Sequence, residues 1–127
     1  MPESTDAPSV LIVDDDELIL QFNAVVLSRA GYAVAKAGGG REALRLVRER
    51  PGGFQLLLVD LSMPEMSGEE TLRAIRALEP GLPALVCSGY ESRLLLPGLR
   101  EGGRTECLVK PYPAGDLLDS VRALLKR

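Results

Sequence analysis

Five side chains of this sequence have the types and placement to do chemistry together. They are Asp14 and Asp15 in "LIVDDDE", Asp60 in "LLLVDLSMPEMSG", Ser88 in "CSG" and Lys110 in "LVKPY". Each stands where a short apolar run gives way to polar residues. Three carboxylates, a hydroxyl and an ammonium suit phosphoryl transfer onto a carboxylate. Mg2+ is a hard cation typically held by one or two carboxylates plus phosphate, with several waters retained. A lysine and a hydroxyl can stabilise the charge that a transferring phosphoryl group spreads over its equatorial oxygens. Adjacent acids repel by about 4 kcal/mol for a pair about 4 Å apart at an effective dielectric of about 20, and a bound cation relieves that repulsion. Taken singly, each residue has a plainer role. Acids after strands cap helices or face the positive end of the helix dipole. Asp60 can open a turn ahead of Pro64 and Gly68, Ser88 can bond locally, and Lys110 can be a solvated edge residue.

The elements that position these residues are legible from periodicity. Apolar runs at Val10 to Val13, Leu56 to Val59, Ala84 to Cys87 and Cys107 to Val109 do not alternate with polar residues, which fits strands buried on both faces of a parallel sheet. Tyr32 to Ala37 is a weaker fifth run. Helical spacing appears between them: Glu17 to Ala30, closed by Gly31 as a C-cap; Leu44 and Val47 in "REALRLVRER"; Leu72, Ile75 and Leu78 after Gly68; and Leu117, Leu118, Val121, Leu124 and Leu125 at the end. Strand and helix alternate five times, which predicts a doubly wound α/β sandwich with right-handed crossovers. Ligands of such sheets bind at the carboxyl ends of the strands, where all five candidate side chains fall.

The four quoted motifs, with their order and spread over about Val10 to Leu125, resemble those of two-component response regulator receiver domains (the CheY-like superfamily). The resemblance implies a flavodoxin-like fold with five helices and strand order 2-1-3-4-5, spanning 9–127 after a disordered lead-in over 1–8. It implies that Asp60 accepts a phosphoryl group from a partner's phosphohistidine, with Mg2+ as cofactor. Asp15, Asp60 and the main-chain carbonyl of Ser62 would ligate the ion, and Asp14 would act through a bound water. Lys110 would pair with the phosphoryl group, and Ser88 would hydrogen-bond to it and act as a switch. Asp16 matches no ligand position and is expected in the first turn of a helix.

Three features depart from the pattern. The switch position, three residues before the lysine, is Cys107 where such domains usually carry an aromatic ring. A small, weakly polar side chain packs as a core residue, so fold and phosphorylation are expected to survive while the serine–aromatic switch is in doubt. Pro97 falls within "ESRLLLPGLREGG", and an interior proline costs about 3 kcal/mol in a helix, so the fourth helix is expected to be short, kinked or displaced. The run Gly38 to Gly40 lacks the Gly-Lys-Ser/Thr ending of a phosphate loop and is read as a turn into the second helix.

The composition bounds the partners. A chain of 127 residues, 46% hydrophobic and 26% charged, is one globular domain. Its net charge of -3 argues against a nucleic-acid surface, and the arginines at 41, 45, 48 and 50 read as a solvated helix face. The chain contains no histidine, which excludes a histidine phosphodonor, a His-based triad and a His-ligated zinc site. "MPESTDAPS" has no signal-peptide pattern, no run approaches the ~20 residues of a membrane span, and nothing suggests a disulfide between Cys87 and Cys107. A cytoplasmic location is expected.

On the first helix, Ile19, Phe22, Val26 and Leu27 are expected to face inward. Leu18 and Val25 are expected outward with Leu20 and Ala24 beside them. That overflow of apolar surface suggests docking of a histidine kinase or histidine phosphotransfer domain. The resemblance allows a stand-alone receiver or the terminal receiver of a hybrid histidine kinase, towards which "SGY" and the ending "KPYPAGDLLDSVRALLKR" lean. The enzymatic alternative is a haloacid-dehalogenase-type phosphatase using Asp14 and Asp16, with Ser88 and Lys110 as its later motifs. It lacks the acidic metal motif required after the lysine and leaves Asp60 without a role. A phosphorylation-independent receiver-like binding module is the third reading.

Overall fold

The computed structural model describes residues 7–89 and 96–126. Five strands, β1 (Ser9–Val13), β2 (Ala33–Ala37), β3 (Leu56–Asp60), β4 (Ala84–Ser88) and β5 (Thr105–Val109), alternate with α1 (Glu17–Arg29), α2 (Gly40–Glu49), α3 (Gly68–Leu78), α4 (Leu96–Arg100) and α5 (Ala114–Leu125). The strands form one parallel sheet in the order β2-β1-β3-β4-β5. β1, β3 and β4 are buried along their whole length, as non-alternating runs require, and the edge strands β2 and β5 are partly exposed.

Alternate strand residues point to opposite faces, which divides the core in two. Val10, Ile12, Leu56, Leu58, Leu85 and Cys87 pack against α1 and α5. Leu11, Val13, Leu57, Val59, Ala84 and Val86 pack against α2, α3 and Leu99 of α4. Pro8, expected in the lead-in, already belongs to the sheet margin through its carbonyl, which accepts from the Ala33 amide at 3.0 Å. Of the rest of the lead-in, residues 1–6 lie outside the described residues.

Local signals place the helix starts. The Asp16 side chain caps α1 by accepting from the amides of Leu18 and Ile19, Gly39 occupies the N-cap of α2, and Ser67 and Glu70 form a capping box on α3. Gly31, at φ +100°, turns the chain out of α1. Gly68 lies so close to β3 that a Cβ there would collide with the Asp60 carbonyl and the Leu61 Cα, so α3 starts directly against the end of that strand. Pro97 is the second residue of α4, where its missing N–H costs least. The preceding part of the expected helix falls within 90–95, outside the described residues.

One expectation is overturned. The buried stripe of α1 is Leu20, Asn23, Ala24 and Leu27, with Leu20 only 5% exposed, whereas Phe22 is 42% exposed. Leu20 and Ala24 therefore face inward and Phe22 outward, the reverse of the sequence reading. The stripe includes a buried polar residue, Asn23, and counting apolar residues alone rotates the helix towards Phe22.

Arg76 on α3 holds the opposite layer together. Its guanidinium is buried and donates to the carbonyls of Leu82, Leu99 and Arg104 at 3.0, 2.7 and 2.9 Å and to Thr105 Oγ1 at 2.8 Å. Gly102 and Gly103 lie against it. Burial lowers its pKa.

Candidate functional site

Parallel register brings the ends of β1, β3, β4 and β5 to one edge. Asp14 leaves β1 with its amide bonded to the Ala37 carbonyl of β2 at 3.1 Å, and its Oδ1 accepts from the Asp16 amide at 2.9 Å. Asp60 ends β3 and is only 4% exposed, Asp14 is likewise buried, and Asp15 is exposed. One carboxylate oxygen from each of Asp14, Asp15 and Asp60 lies within 4.8 Å of the other two. Asp16 is outside this group, its carboxylate being engaged in capping the start of α1.

Lys110 reaches back over the acids from the end of β5. Its ammonium is 3.1 Å from Asp14 Oδ2 and 3.4 Å from Asp60 Oδ1, and its amide donates to the Ser88 carbonyl at 2.8 Å. Burial opposes its charge, but Asp14 and Asp60 outweigh that and raise its pKa, so it remains an ammonium. Asp60 is pushed above the usual carboxylate range, first by burial and then by the Asp14 charge, against the opposing effects of Lys110 and of the Ser62 amide, which donates to its Oδ1 at 3.3 Å. Two carboxylates and one ammonium in a desolvated crevice leave an excess of negative charge, and all the convergent oxygens are hard donors. That donor set fits a hard divalent cation.

Ser88, buried at the end of β4, pairs its hydroxyl with that of Ser62 at 2.9 Å. The sequence reading used only the carbonyl of Ser62. No local pattern announces a hydroxyl contact across 26 residues; it follows from where the β3–α3 loop crosses the end of β4. Cys107 sits mid-strand on β5 opposite Val86, partly buried against the α2–α3 side of the core.

A family model described as the response regulator receiver domain matches residues 10–122. The chain belongs to that family. The receiver is 37% identical over 122 residues to the transcriptional regulatory protein ZraR of Escherichia coli O157:H7, covering 96% of this chain and 26% of that protein. It is 35% identical over 128 residues to the transcriptional regulatory protein PrrA of Mycobacterium tuberculosis, covering 100% of this chain and 54% of PrrA. The receiver thus spans roughly a quarter to a half of the length of these relatives. Among solved structures it resembles the chemotaxis response regulator CheY4 of Vibrio cholerae, with a TM-score of 0.83, 33% identity and coverage of 94% and 99% of the two chains. It also resembles the receiver domain from the hybrid histidine kinase CckA, with a TM-score of 0.80, 29% identity and coverage of 93% and 99%. Membership makes it a phosphoacceptor domain of two-component signalling.

Proposed function

We propose that Asp60 is the phosphoacceptor and that the donor is a phosphohistidine on a histidine kinase or histidine phosphotransfer domain. The observation that carries this reading is the position of Asp60, buried between two acids and the Lys110 ammonium at 3.4 Å. A carboxylate oxygen of Asp60 attacks phosphorus as the P–N bond of the donor breaks, and the imidazole leaves with the electron pair of that bond. Lys110 pairs with the incoming phosphoryl oxygens, and Ser88 exchanges its Ser62 partner for one of them. Asp15, Asp60 and the Ser62 carbonyl would hold Mg2+, with Asp14 acting through a water. When bound, the cation supplies positive charge that favours the ionised Asp60 and offsets the charge of the phosphoryl oxygens. With the cation held, Lys110 and the desolvated crevice would also let the receiver take a phosphoryl group from small phosphodonors and pass its own phosphoryl group to water.

The docking surface we assign to the phosphodonor protein is the outer face of α1. Leu18 is 80% exposed and shares that face with Phe22 and Val25. Beside it, Leu18, Ile19, Phe22, Pro111 and Tyr112 line an apolar groove of 310 Å3 that leads to Lys110. We place the protein in the cytoplasm, where a kinase can reach it; among the described residues no helix is long and apolar enough to cross a membrane.

The decisive experiment is which aspartate carries the label. Incubation with Mg2+ and a phosphodonor should give an acid-stable, hydroxylamine-labile phosphoryl group that Asp60→Asn abolishes. Loss of the label in Asp14→Asn but not in Asp60→Asn would sink the assignment.

A further inference from the structure

Two polar groups beside the site, the buried Asn23 and the partly buried Tyr112, have no part in the chemistry above. Asn23 is 2% exposed in the inward stripe of α1, among Leu20, Ala24 and Leu27. An apolar side chain would pack there, and an amide left unbonded in such a place costs about 1–3 kcal/mol. It is not left unbonded: the Tyr112 hydroxyl donates to Asn23 Oδ1 at 3.0 Å. The same hydroxyl interacts with the thiol of Cys87, the residue before Ser88. Burial raises the pKa of the phenol, so it stays a donor.

The tie joins the two segments that the site also joins. Asp14 leads into α1, which carries Asn23 nine residues on, and Lys110 is two residues before Tyr112. Lys110 Nζ to Asp14 Oδ2 is one bridge between these segments, and Tyr112 to Asn23 is the other. A lysine ammonium rides on a flexible four-carbon stem, so its location depends on how its backbone is held. The Ser88 carbonyl holds the Lys110 amide, and the Tyr112 ring holds the chain on the other side of Pro111.

We propose that Tyr112 and Asn23 are positioning residues for phosphoryl transfer, their hydrogen bond fixing the segment that places the Lys110 ammonium over Asp60. This deepens the reading of Asp60 and Lys110 given above and rests on it. Tyr112→Phe removes the hydroxyl and keeps the ring; Asn23→Leu removes the acceptor and keeps the stripe packed. The measurement is the initial rate of Asp60 phosphorylation by acetyl phosphate, with donor and Mg2+ varied separately and the folded fraction followed by circular dichroism. A misplaced group costs rate rather than metal binding. Each single variant should lose about fivefold in rate constant at saturating donor and Mg2+, with half-saturating Mg2+ unchanged, and the double variant should lose no more than either single.

The proposal is overturned if both singles keep the parent rate constant, if their losses multiply in the double variant, or if the loss tracks weaker Mg2+ binding or a smaller folded fraction. The singles reach the tie from opposite ends, so misfolding of one leaves the other to decide. No label on Asp60 in the unaltered chain would overturn the phosphoacceptor assignment together with this one. A labelled parent with unaffected variants overturns only the tie.

Discussion

Asp60 carries an electrostatic conflict, a buried carboxylate beside a second buried carboxylate, Asp14, with one ammonium shared between them. Because its folded pKa is raised, its contribution to stability is fully present below the unfolded carboxylate value of about 4 and is lost as pH rises through the folded value. In metal-free buffer the Tm of Asp60→Asn should therefore gain on the parent as pH goes from about 4 to about 7. Mg2+ should narrow the gap by stabilising the parent, with its full set of carboxylates, more than the variant. Thermal unfolding in chelator at several pH values checks this, and a gap independent of pH would contradict it. The acids, Lys110 and Ser88 were legible as a set because each ends an apolar run at one predicted edge. The Ser62 to Ser88 and Tyr112 to Asn23 contacts were not, since they depend on how loops cross between elements and leave no spacing in the chain.

At the scale of elements, the helices differ in how openly the sequence declares them. α5 shows an uninterrupted apolar stripe, and Leu117, Val121 and Leu124 are indeed buried. α1 misleads, because Asn23 interrupts its buried face while Leu18, Phe22 and Val25 add apolar residues to the solvent side. Its burial could be assigned only once Tyr112 was known to stand opposite Asn23. Arg76 raises the same difficulty in α3: nothing in "GEETLRAIRAL" distinguishes it from Arg73. Yet Arg73 is an exposed partner of Glu69 at 2.9 Å, while Arg76 satisfies four neutral oxygens from the β4 approach, α4 and β5. Arg76→Ala strands those acceptors and should cost about 3 kcal/mol or more. Arg73→Ala should stay within about 0.5 kcal/mol. Urea unfolding of the two variants measures the contrast, and equal costs would refute the bracing role.

For the molecule as a whole, the two-faced core and the edge that holds the site follow from strand–helix alternation and right-handed crossover, whereas the sheet order β2-β1-β3-β4-β5 was legible only through the family resemblance of the motifs. The same two-faced build separates surfaces. α1 and α5 cover one face, with the proposed docking patch beside the crevice, while α3, α4 and Arg76 brace the other. Charged substitutions at Leu18 and Val25 should therefore slow transfer from a phosphohistidine protein by tenfold or so, on the scale of a lost apolar interface anchor. Labelling of Asp60 by acetyl phosphate should remain as in the parent. Parallel assays with the two donors decide it, and equal losses with both would place the defect in the site and not in docking.

Gly68 bears no charge and is not among the residues assigned to the chemistry, yet its missing Cβ is what allows α3 to begin against the Asp60 carbonyl. In a saturation screen for signalling, position 68 should accordingly score as intolerant as the acceptor itself, with even Gly68→Ala failing, while position 73 on the exposed side of the same helix accepts most residues. The receiver's tolerance map would then show an invariant point defined by empty space.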